Sequence, residues 1–254
     1  MKSNAVQITT SSGLTLSARW EVPDHDYIAT ALFAHCFTCG KDFLAASRIS
    51  RRLVELGYAV LRFDFTGLGA SDGDFADTNF SSNLSDLIEA VAWLKQTHQA
   101  PSVVIGHSLG GTAILATAAY LTDARAFIII GSPSDSRHIF KLIGESDMDE
   151  IEATGDAMIN LAGRSFHIRK QFVEDAREQH VLQQVRQLNR PLLIMHSPED
   201  DTVPIEHATA IFHAAAHPKS FVSLGKADHL LSDRVDTVFI ADMIFAWSAR
   251  YVAD

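Results

Sequence analysis

Between residues 6 and 23 apolar and polar side chains alternate on either side of Ser12-Gly13. That period of two predicts an antiparallel hairpin with one face buried. Farther on the pattern changes to short, mostly apolar runs at 29–34, 59–63, 102–105, 126–130, 191–195 and 220–224. Such runs suit strands covered on both faces. Stretches of helical spacing separate most of them. One covers 45–56, Leu84, Leu87, Ile88, Val91 and Leu94 mark a second, a third opens at Leu109, and 235–251 closes the chain. Strands alternating with helices predict an α/β fold: a mostly parallel sheet of about eight strands with helices on both faces.

The rhythm breaks between 133 and 190, where no run of that apolar kind occurs. Ile139 to Ile143 is followed by an acidic stretch at 147–156 and a basic one at 164–170, with 157–161 and 165–168 placed to pair across Ala162-Gly163-Arg164. A long insertion between core strands is often a cap over a site. The expected organisation is therefore a core of 1–132 and 191–254, with 133–190 as a small inserted cap of helices and a short hairpin; extra helices packed at the side are the alternative. Phe140, Ile143, Met158 and Phe166 would form either the roof of a pocket or the cap's own core.

Composition narrows the function. The 254 residues carry a formal net charge of −10, spread along the chain, which argues against nucleic acid or an anionic membrane as partner. No stretch reaches the roughly 18 apolar residues needed to span a bilayer. The start of the chain has no apolar signal core. A cytoplasmic protein is expected, with its two cysteines reduced. The apolar residues of the last helix, Val238, Phe239, Met243, Ile244, Phe245 and Trp247, exceed one narrow stripe, which suits deep packing in a monomer or a homodimer face.

The pattern G-x-S-x-G occurs twice. At Gly106-His107-Ser108-Leu109-Gly110 a strand-like run precedes and small, helix-compatible residues follow, the strand–turn–helix context in which a serine nucleophile is displayed. At Gly69-Ala70-Ser71-Asp72-Gly73 the sequence continues as loop, so that copy reads as a turn. A serine needs a base, and the base an orienting carboxylate, in the chain order serine, acid, histidine. Of the twelve histidines, the order rejects His35, His107 and His196 as the base. His207, His213 and His217 lie in a helix-like stretch. His229 follows the 220–224 strand in a loop, where parallel sheets place their sites. After the 191–195 strand come Glu199, Asp200 and Asp201, and spacing alone does not choose among them; capping of the next helix by Asp201 or Thr202 is the competing role.

With these residues in place, the chain resembles the α/β-hydrolase superfamily over nearly its whole length. The resemblance puts that family's D-x-x-V-P pattern on Asp200, Val203 and Pro204, its G-H-S-L-G-G elbow on Ser108 and its A-D-H stretch on His229. It implies a Ser108–His229–Asp200 triad, with the backbone N–H groups of Phe37 and Leu109 as oxyanion hole. Residues 62–71 resemble the family's D-x-R-G-x-G-x-S loop, with Thr66 where arginine is common. His35-Cys36-Phe37-Thr38-Cys39, with 74–83 and 219–224, resembles a bacterial group in which the hydrolase is often fused to an osmotically induced, peroxide-reducing domain. No such domain is read in this sequence, and no redox activity is carried over.

The family usually has glycine where Cys36 stands, so a thiol there is expected to narrow the pocket. His35, Cys36, Cys39 and His107 are read as lining or supporting the site. A dithiol centre would need a lowered thiol pKa, to which Lys41 could contribute; a metal held by His35, Cys36 and Cys39 lacks a fourth ligand. The function expected is hydrolysis of small carboxylic esters with short to medium acyl chains through an acyl-enzyme, without metal or cofactor. Alternatives are a thiol redox protein using Cys36 and Cys39, a binding module that kept the pocket, or a thioesterase, carbon–carbon hydrolase or peptidase with the same triad.

Overall fold

The computed structural model describes residues 1–161 and 163–252. The hairpin opens the chain as β1 (Lys2–Thr9) and β2 (Thr15–Val22). Then come β3 (Ala29–Ala34), α1 (Leu44–Glu55), β4 (Tyr58–Phe63), α2 (Phe80–Thr97), β5 (Val103–His107), α3 (Leu109–Thr117) and β6 (Ala126–Ile130). The segment that follows holds α4 (Ile139–Ile143), α5 (Glu145–Thr154), β7 (Asp156–Leu161), β8 (Arg164–Arg169), α6 (Lys170–Glu178) and α7 (Val181–Gln187). The chain then returns to the sheet with β9 (Leu192–His196), α8 (Glu206–Ala214), β10 (Lys219–Ser223) and α9 (Arg234–Val252).

Eight strands form one sheet in the order β1-β2-β4-β3-β5-β6-β9-β10, parallel from β4 to β10 and antiparallel at the two-strand edge. Period two decides which side chain goes where. Ala29, Ala31 and Phe33 of β3 pack with α1 and α9 on one face, and Leu32 and Ala34 with α2, α3 and the inserted segment on the other. Both faces are covered, which is why the central runs read as continuously apolar. Arg62 interrupts the β4 run; it is 1% exposed and pairs at 3.0 Å with Glu21 of β2, itself 1% exposed. Paired in this way, a buried charge is tolerable; with Glu21 removed it would not be.

Helix α2 starts at a capping box, in which the Asn79 side chain accepts from the Ser82 amide and the Ser82 hydroxyl reaches back to the Asn79 N–H. Its buried face is Phe80, Asn83, Asp86, Leu87, Ala90 and Leu94. The last helix is narrower in its burial than its composition suggested. Ile240, Ala241 and Ile244 are buried, Met243, Phe245 and Trp247 are half-buried, and Phe239 is exposed.

Between β6 and β9, β7 and β8 pair antiparallel, with Arg164 in the second strand and Ala162 outside the described residues. Of the four residues read as roof or cap core, Ile143 and Phe166 are buried, Phe140 is half-buried and Met158 is 63% exposed, because β7 turns alternate side chains to solvent. The segment is fastened to residues 74–83. Gln171 Nε2 donates to the Ala76 carbonyl at 3.3 Å, Gln179 Nε2 to Ser81 Oγ at 3.0 Å and the Ser81 amide to Asp175 at 2.8 Å, with an Arg169–Asp77 ion pair beside them.

Candidate active site

The carboxyl ends of β5, β9 and β10 deliver three side chains to one place. Ser108 stands between β5 and α3 at φ 53°, ψ −127°, a conformation that non-glycine residues rarely hold. The turn is possible because its neighbours lack side chains. A Cβ on Gly106 would lie 2.6 Å from the Gly110 carbonyl carbon, and one on Gly110 would strike the Ala34 and His35 carbonyl oxygens. Gly106→Ala should therefore lower stability by at least about 3 kcal/mol. A urea titration giving an unchanged midpoint would show that the turn has room to spare.

His229 Nε2 lies 3.0 Å from Ser108 Oγ, and His229 Nδ1 lies 2.8 Å from Asp200 Oδ2. A carboxylate only accepts, so Nδ1 carries the proton and the Nε2 lone pair faces the serine hydroxyl. Of the three acids, Asp200 is buried and reaches the imidazole, while Glu199 and Asp201 are exposed. Neither Asp201 nor Thr202 caps α8, whose N-cap is Ile205 without a side-chain bond. Asp200 Oδ1 instead accepts from the Thr202 and Val203 amides at 3.0 and 2.8 Å. Burial alone would raise the Asp200 carboxyl, but the hydrogen bonds from His229 and the two amides outweigh it and hold the group below its ordinary value.

His107 Nε2–H donates to the His229 carbonyl at 2.8 Å, tying down the loop that carries the imidazole. Burial, and then the neighbouring His229, hold His107 down to about 3, so it stays neutral and keeps this donor role. His35 is 1% exposed and its Nδ1–H donates to the Cys36 carbonyl at 2.7 Å. Phe37 is half-buried, its ring 5.5 Å from Phe75 and 5.6 Å from Phe172. Cys36, Phe37 and Leu109 share the wall of a small cavity with His35, Phe65 and Asn83 among others.

The cysteines differ from the expectation of two free thiols. Cys36 and Cys39 form a disulfide, with Cα atoms 5.4 Å apart. The cause is local: Thr38 at φ 63° turns the chain back, and the Cys39 amide donates to the Cys36 carbonyl. Lys41 is no free cation beside them, since its Nζ pairs at 2.7 Å with buried Asp64, which also accepts from the Ala70 amide.

A model of the alpha/beta hydrolase family matches residues 31–241. The chain belongs to that family. The esterase domain of a Rhodothermus marinus protein is 45% identical and superposes with a TM-score of 0.82 over 100% of both chains. Est1E from Butyrivibrio proteoclasticus, solved with ferulic acid, gives 0.86 at 22% identity, over 98% of this chain and 100% of that one, a likeness of fold alone. The mouse mitochondrial palmitoyl-protein thioesterase ABHD10 is 25% identical over 190 residues, 72% of this chain and 62% of that protein. The chain thus spans less than two thirds of that relative's length.

Sequence reading of this hydrolase missed Asn83, Phe75 and Phe172, which lie beside Phe37 or in its cavity wall. For Asn83 a signal existed: a carboxamide on the apolar stripe of an otherwise amphipathic helix. Phe75 and Phe172 had none, since one lies in a turn and the other far along the insertion.

Proposed function

We propose that this protein is a serine esterase acting on small carboxylic esters. The observation that carries the reading is the hydrogen-bonded chain Ser108–His229–Asp200, with its imidazole lone pair on the serine hydroxyl. In the proposed cycle Ser108 Oγ attacks the ester carbonyl as its proton passes to His229 Nε2. Asp200 stabilises the imidazolium, and the Phe37 and Leu109 N–H groups hold the developing oxyanion, each worth about 3 kcal/mol. The alcohol leaves with the proton from His229, and water then splits the acyl-enzyme by the same relay. The 45% identical esterase domain supports the ester class; thioester cleavage, named for ABHD10, uses the same chemistry.

Residues 133–190 act as a cap over this site in the proposal, with Phe172 against the Phe37 ring and Phe166 reaching it through Phe75. Short acyl chains are favoured, because the cavity beside Phe37 is small and walled by buried Phe65, Leu68 and Phe80. Release of p-nitrophenol from acetate, butyrate, octanoate and palmitate esters should peak at acetate or butyrate and fall at least tenfold by palmitate. A palmitate optimum would discard the short-chain reading.

The disulfide favours a second reading, a thiol redox protein, which predicts activity that survives loss of Ser108. In the esterase reading the bond has a mechanical role: it closes the turn that carries Phe37. Reduction by dithiothreitol, or Cys36→Ser with Cys39→Ser, should lower kcat on p-nitrophenyl butyrate about tenfold, half of one donor's contribution, with KM little changed. Equal kcat with and without reductant would remove the disulfide from the mechanism.

A further inference from the structure

Two buried polar atoms of the cavity beside the Phe37–Leu109 turn have no hydrogen-bond partner among the described residues: His35 Nε2 and Asn83 Nδ2. His35 is 1% and Asn83 6% exposed. Their chemistry is complementary. His35 Nδ1 holds the ring proton, because it donates to the Cys36 carbonyl, so Nε2 presents a lone pair. Burial, the largest influence, lowers the His35 pKa and keeps the ring neutral. Asn83 Nδ2 presents N–H donors from the core face of α2. The remaining wall includes Phe65, Leu68, Phe80 and Ala113, all buried and apolar.

Leaving a buried donor and a buried acceptor unmatched costs about 1–3 kcal/mol each. A methyl group would satisfy neither. A carboxylate has no proton for the His35 lone pair, and an ammonium accepts nothing from Asn83. A hydroxyl meets both, donating to one and accepting from the other. The cavity also shares its wall with the two residues proposed to hold the oxyanion. A carbonyl bound there would present its own substituent to this cavity, while the alcohol must be able to depart before the acyl-enzyme is split. We infer that the cavity selects the acyl group, and that its preferred substrates are short esters bearing a hydroxyl on the second or third acyl carbon, bonded to His35 Nε2 and Asn83 Nδ2. This rests on the serine-esterase reading and names the substrate class for that same site.

Hydrolysis of ethyl butyrate, ethyl 2-hydroxybutyrate and ethyl 3-hydroxybutyrate, followed by pH-stat titration, tests it. Each kcat/KM is divided by the ester's own rate with hydroxide, which removes intrinsic reactivity. One hydroxy ester should exceed ethyl butyrate at least tenfold in wild type, and the ratio should fall to within about twofold of unity in Asn83→Leu and Asn83→Ala. Taking the ratio within each variant cancels any loss of folded enzyme; if neither variant folds, the wild-type ratio still decides. Ratios near unity in wild type, or a preference that persists without Asn83, would overturn the inference and leave the two atoms as partners of bound water. No cleavage of any of the three by wild type, together with none of the p-nitrophenyl esters, would overturn the esterase reading and this inference with it.

Discussion

Ser108→Ala should reduce kcat on p-nitrophenyl butyrate by roughly 10⁴- to 10⁶-fold, the scale seen when the nucleophile of such a relay is removed. The residual rate would come from the oxyanion donors and from binding. The fold should survive: an alanine keeps the Cβ already present at φ 53° and deletes only an oxygen whose partner is the His229 ring. The melting temperature should therefore stay within a few degrees of wild type. A Ser108→Ala protein that keeps a tenth or more of the activity would sink the nucleophile assignment and pass the chemistry to Cys36 and Cys39.

Asp200→Asn should cost about 10⁴-fold in kcat with a much smaller effect on KM, since a carboxamide at this position lets the imidazole take the wrong tautomer. The geometry says why. Asp200 Oδ2 accepts the His229 Nδ1 proton while Oδ1 is held by the Thr202 and Val203 amides, so an asparagine keeps its oxygen on the two amides and turns its NH₂ toward Nδ1. His229 would then move its proton to Nε2 and lose the lone pair that faces Ser108. The sign of the stability effect follows as well. A carboxyl held below its ordinary value contributes stability that is present above the unfolded-chain pKa and lost as pH falls through the folded one. Asp200→Asn should accordingly flatten the acid limb of melting temperature against pH below about 4. Asp201→Asn, an exposed neighbour, should change neither quantity, and equal losses in the two variants would mean that the wrong acid was chosen.

Much of this was readable from residues alone, for identifiable reasons. The runs at 29–34 and 126–130 coincide with β3 and β6 because strands buried on both faces have no polar positions to blur their ends. That Ser108 and His229 would meet was legible because strand–turn–helix context and chain order are properties of sequence. The choice among Glu199, Asp200 and Asp201 was not, because it depends on which side chain the 197–203 turn points inward. The disulfide was invisible for a similar reason: two cysteines three apart meet only because Thr38 adopts a left-handed conformation, and nothing in its side chain announces that. Helices were expected in 133–190, and the apolar stretch Ile139 to Ile143 coincides with α4, but the bounds of α5 to α7 were not legible because those helices are short and packed piecemeal against the neighbouring core. Asn83 stood in plain view on the α2 stripe, and its meaning appeared only once the cavity wall was assembled.

Arg164, in the first position of β8, donates from Nη1 to the Thr38 carbonyl at 2.9 Å, across from the hairpin to the turn that carries Phe37. The inserted segment and the turn of the proposed oxyanion donor are thus joined by this guanidinium, beside the Phe37–Phe172 ring contact. Exchanging this insertion for that of another hydrolase, as an engineer might do to change which esters enter, would also cut that tether. Chimeras built at 133 and 190 would then lose turnover along with their old selectivity unless the incoming hairpin brings a donor to the same carbonyl.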